Sequence, residues 1–127
     1  MPSMFPEAFG MVAAEAAASG ALPISAGHSG LAEVAAILGE KLPLQVRSLL
    51  TFERGMRAVE DLATAITGWL DLDPRVRASA RTALARTAAD RFGWESVADS
   101  VVAAARGRTA VLEPVAGAVP FAGAAES

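Results

Sequence analysis

MPSMFPEAFGMVAAEAAASGALPISAGHSGLAE, residues 1–33, decides how the rest of the chain is read. Glu7 and Glu15 have seven residues between them, with Phe9-Gly10-Met11 in the gap. That tripeptide reads as the opening of a helix over Gly10–Ser19, ended by Gly20. No Ser, Thr, Asp or Asn caps the opening, so its first amides need another partner. Outward N–H groups and the helix dipole favour negative charge there, and Gly10 lets a ligand approach the backbone closely. Glu15, in the second turn, leans back toward that end because helical side chains tilt toward the N-terminus. A carboxylate repels phosphate, so Glu15 should grip a group one step away, such as a ribose diol that donates two hydrogen bonds. Glu7 approaches the same ligand from the loop before the helix. Between Glu7 and Glu40 the only other charges are Glu15 and Glu33, and carboxylates in so apolar a stretch call for partners. The bare pair also reads as two solvated surface carboxylates, since that spacing is common.

Outward from the helix, Leu22–Ala26 reads as a short, buried parallel strand, with Pro23 tolerated near its start. Gly27-His28-Ser29-Gly30 follows as a loop at the carboxyl end of that strand, where α/β sheets bind ligands. Leu31–Leu38 is the next predicted helix, begun by Glu33 where the dipole favours a carboxylate. Pro43–Arg47 gives no clear signal, and Ser48–Phe52 reads as a second strand. Met56–Leu70 is amphipathic, with Val59, Leu62, Ala63, Ile66, Trp69 and Leu70 as an expected buried stripe. Asp73 and Pro74 supply the cap and first residue of another helix. Its arginines, Arg75, Arg77, Arg81, Arg86 and Arg91, read as a solvated face, with anion binding as the alternative. Phe92-Gly93-Trp94 interrupts it, and Trp94–Ala105 is a last helix with Val97, Val101, Val102 and Ala105 expected inward. Val111–Ser127 has no period and is expected to be disordered.

The string Pro2-Ser3, Pro6-Glu7-Ala8-Phe9-Gly10-Met11, Glu15-Ala16, Ser19-Gly20, Leu22-Pro23-Ile24 and Gly30-x-x-Glu33-Val34 closely resembles one family. It is similar to the nucleotide-binding half of GT-B-fold retaining glycosyltransferases of family 4, with their E-x7-E motif. The likeness is dense over residues 2–34, rests on element order alone over 41–107, and ends at Arg108. Phe92-Gly93-Trp94-Glu95 also resembles the close of such chains. The resemblance implies a catalytic-site role for Glu7, near the donor sugar. It implies that the Phe9-Gly10-Met11-Val12 opening binds the donor, with the backbone amides of Gly10 and Met11 meeting its diphosphate. Glu15 is implied to bind the ribose hydroxyls. The chain departs from the family at Ser29-Gly30, where relatives often carry Gly-Gly, and the lone histidine, His28, precedes it; His28 could donate to a phosphate or sugar hydroxyl, or simply be satisfied by nearby backbone.

The fold implied by the resemblance is a partial Rossmann-like half of a GT-B fold, α/β and helix-rich, with two short parallel strands. Residues 1–107 would be the distal part of the donor-binding domain, and 108–127 a tail. The parent would transfer sugar from a nucleotide-diphosphate sugar donor with retention, with no cofactor and no obligate metal. The N-terminal acceptor domain and the basic residues that the family presents upstream are missing, so the expectation is a C-terminal fragment, inactive alone. The alternative is a non-catalytic module that binds a nucleotide or a partner.

Composition narrows the classes. The 127 residues suffice for one small core. Hydrophobic residues make up 53% and mean hydropathy is +0.37, which excludes a wholly disordered chain. Much of that content is alanine, so helices should pack closely. A net charge of −3 argues against nucleic-acid binding. With no cysteine and one histidine, disulfides and thiolate sites are excluded and zinc is disfavoured. Neither a signal peptide nor a transmembrane segment is visible, so a cytoplasmic setting is expected, where donors of the resembled family are found.

Overall fold

The computed structural model describes residues 10–108. The expected loop at 1–6, Glu7, Phe9 and the expected tail at 111–127 lie outside the described residues. The described chain is helix-rich α/β. Its elements are α1 (Met11–Ala18), β1 (Ser25–Ala26), α2 (Ser29–Gly39), α3 (Leu44–Arg47), β2 (Thr51–Phe52), α4 (Ala58–Asp71), α5 (Pro74–Phe92) and α6 (Trp94–Ala105). β1 and β2 form one parallel two-stranded sheet, with Ser25 opposite Thr51 and Ala26 opposite Phe52. The Ser25 amide donates to the Leu50 carbonyl at 2.9 Å and the Gly27 amide to that of Phe52 at 3.0 Å.

Both strands are shorter than their apolar runs. Pro23 has no N–H to give to a ladder. Ahead of β2, the short helix α3 occupies the stretch that carries no clear signal. Its turns continue to Leu50, whose amide donates to the Arg47 carbonyl at 3.2 Å, while that of Leu49 donates to Val46 at 3.0 Å. Only Thr51 and Phe52 remain to pair. α2 likewise begins two residues earlier than its apolar period suggests, at Ser29.

The core lies where α1 and α2 pack on α5. α1 offers Ala13, Ala14 and Ala17, all buried. Methyl side chains let its backbone approach α5 closely, at little area buried per residue. The larger volume comes from Leu31 and Leu38 of α2, Val46 of α3, Leu50, and Leu84 of α5, which are fully buried. A polar tie spans this layer: the Arg81 Nε on α5 donates to the Gly20 carbonyl, 2.9 Å away, just past the end of α1. At the start of α5 the expected cap is present, with the Arg75 amide donating to the Asp73 carboxylate at 2.7 Å and Pro74 in the first position. Gly93 separates α5 from α6 at the expected break.

Two expected stripes are not buried. On α4, Val59 is 77% exposed, and Ala63, Ile66 and Leu70 are exposed too; Leu62 and Trp69 are half-buried, and Ala65 is the buried position. On α6, Val97, Val101, Val102 and Ala105 are exposed, and Ala103 turns inward instead. Helical periodicity specifies an apolar face but not what covers it. Here α4 rests mainly along β2, and α6 touches the rest mainly through α5, so much of each stripe stays open.

Candidate functional site

Gly10 adopts φ +56°, ψ +30°, the left-handed region, and is buried at the entrance to α1. A Cβ there would lie 3.0 Å from Leu31 Cδ2, 3.3 Å from Leu31 Cα and 3.4 Å from the Gly30 carbonyl oxygen. The start of α1 is therefore seated on the first turn of α2. That turn follows the carboxyl end of β1 through a tight link in which the His28 amide donates to the Ala26 carbonyl at 2.8 Å. Two helix N-termini thus meet at the carboxyl end of a parallel strand. Gly10 has no side chain to cap α1, the His28 side chain does not cap α2, and neither helix has an acidic residue in its first turn. Both dipoles favour negative charge at this corner.

Met11 and Val12, the first two residues of α1, carry the backbone amides nearest that corner. Their side chains are 45% and 54% exposed and take no part in the core. Glu15 lies one turn on and is exposed, on the face of α1 away from the buried alanines. Its expected need for a protein partner is not met among the described residues, and its carboxylate faces solvent. Glu33 does not begin α2, since the helix starts at Ser29; it lies exposed in the second turn. The described part of the candidate site therefore has Met11, Val12 and Glu15 on one helix, with Gly10 at its entrance.

Ser29 is the feature that sequence patterning does not show. Its φ is +51°, a conformation that favours glycine. His28 is half-buried, with Nδ1 3.3 Å from Ser29 Oγ. Leu31 carries no site signal in the sequence either, yet it is the floor on which Gly10 rests. Its helical period marks it as core, and only the closeness of Gly10 gives it a second role. Among the described residues, no group of His, Cys, Asp and Glu is arranged to hold a metal ion, and no helix is long and apolar enough to cross a membrane. Comparison with models of known protein families, with curated proteins and with solved structures finds no match to this chain.

Proposed function

We propose that this chain is the donor-binding part of a retaining glycosyltransferase that uses a nucleotide-diphosphate sugar. The observation that carries the reading is the corner where α1 and α2 begin side by side, with no side-chain cap on either and Gly10 in the left-handed conformation. In this reading the donor diphosphate lies against the amides at the start of α1; the space that Gly10 leaves open is taken by Leu31, so the glycine seats α1 on α2 and does not itself admit the ligand. Charge that develops on the departing diphosphate is stabilised by those fixed N–H groups, with no reorganisation at the moment of reaction. Glu15 accepts hydrogen bonds from the two ribose hydroxyls, a role open to it because no protein donor occupies it among the described residues. Glu7, outside the described residues, keeps the role near the donor sugar that the resemblance implies. The acceptor is held by a further domain, so sugar transfer needs more than this half. The exposed apolar faces of α4 and α6 favour a second reading, a non-catalytic module whose partner covers them.

Calorimetric titration with UDP, GDP and ADP tests the first reading. One of the three should bind, and Glu15→Gln should weaken it. Hydrogen bonds to a charged group contribute about 1.5–3 kcal/mol, so the loss should be roughly 10- to 150-fold. Glu15 is exposed, so the substitution leaves folding intact. Undiminished binding by the variant, or no binding of any of the three, overturns the proposal.

A further inference from the structure

At the far end of α1 from Gly10, about 12 Å along an eight-residue helix, the surface opens into a groove. It lies between the chain leaving α1, the end of α4 and the first turns of α5. Its volume is about 620 Å³, within the range of small-molecule sites, about 300–1,000 Å³. Gly20, Leu22, Trp69, Pro74, Arg77 and Arg81 form most of its wall, and among the described residues no carboxylate lines it. Arg77 and Arg81 are one turn apart on the same face of α5. Among the described residues no ion pair engages either of them. The Asp73 carboxylate, close by in sequence, is held by the Arg75 amide.

The two guanidiniums are not equivalent. Arg81 is oriented by its bond from Nε to the Gly20 carbonyl, which leaves both terminal amino groups to form a fork. Arg77 is half-buried in the wall. A fixed guanidinium fork matches an oxyanion in bidentate fashion, and a second cation one turn away suits a dianion better than a single carboxylate. A phosphate monoester carries about −1.5 to −2 near neutrality. Half-buried Leu22 and Trp69 add an apolar wall beside the charges.

We propose that this groove binds a phosphate monoester of a small organic molecule, with Arg77 and Arg81 on the phosphate and Trp69 and Leu22 against the organic group. The chain has two tryptophans, and Trp94 is 87% exposed, so Trp94→Phe leaves Trp69 as the sole reporter without disturbing the core. Titrating that protein with phenyl phosphate should change tryptophan emission saturably. Arg77→Gln should weaken binding at least tenfold, and Arg77→Lys, which keeps the charge but loses the fork, should fall between. Arg81 is left in place because it also ties α1 to α5, and circular dichroism checks that each variant is folded. Glu15→Gln should leave the titration unchanged, so this site and the donor site succeed or fail separately. The absence of a saturable change overturns the proposal, as does indifference to Arg77→Gln. Phenol binding as tightly as phenyl phosphate would remove the role of the arginines, and inorganic phosphate binding as tightly would remove that of the apolar wall.

Discussion

Replacing Gly10 by alanine should destabilise the protein by two separable effects. The first is conformational: at φ +56° an L-residue with a Cβ costs about 1–2 kcal/mol. The second is steric. The new Cβ would lie 3.0 Å from Leu31 Cδ2 and 3.3 Å from Leu31 Cα. Leu31 is fully buried at the start of α2, so neither its side chain nor its backbone can retreat without moving the core. Forcing an extra methyl into packed surroundings costs about 1–3 kcal/mol. Together these give about 2–5 kcal/mol, a large part of the roughly 5–15 kcal/mol that holds a domain folded. Gly20→Ala is the internal control. Gly20 also has positive φ, +75°, but its nearest contact for an added Cβ is Arg81 Nε at 3.8 Å, so only the conformational cost applies. Urea unfolding of both variants, read by circular dichroism, isolates the steric part as their difference. Equal losses for the two, or a loss below about 1 kcal/mol for Gly10→Ala, would refute the seating of α1 on Leu31.

Ser29→Gly should raise stability by roughly 0.5 kcal/mol, as relief at φ +51° outweighs the added freedom of the unfolded chain; a lower urea midpoint would show that the contact between Ser29 Oγ and His28 Nδ1 matters more. Thr87 is buried in α5, and its hydroxyl has no hydrogen-bond partner among the described residues. Thr87→Val keeps the shape and removes that orphan, so unfolding should become harder by about 1 kcal/mol, and a loss of stability would mean that the hydroxyl has a partner.

The legible parts of the fold are those fixed by a few neighbouring residues. Asp73-Pro74 announces the start of α5 because a carboxylate cap and a proline at the first position act within one turn. Gly93 marks the break before α6, and Gly10 marks the entrance to α1. Strand length was not legible, because what shortens β2 is the turn that α3 extends as far as Leu50. Nor was the exposure of Val59 and Val101, since the period of a helix is internal to it while cover is supplied from elsewhere. Within the candidate site, Met11, Val12 and Glu15 share one short helix that Gly10 precedes, so their proximity comes directly from spacing. The left-handed Ser29 escaped because serine itself carries no signal for that conformation.

The bond from Arg81 to the Gly20 carbonyl joins residues 61 apart in sequence. α1 has only eight residues, fewer than the roughly 12–15 that an isolated helix needs to persist in water. On the ribosome, α1 is therefore made early but secured late. At about 5–20 residues per second, the 61-residue interval takes about 3–12 s, during which the glycine corner has no α5 to lean on. A protease cut within α5 after folding should return the protein to that condition, with the proposed donor site dissolving although every residue that forms it is still attached.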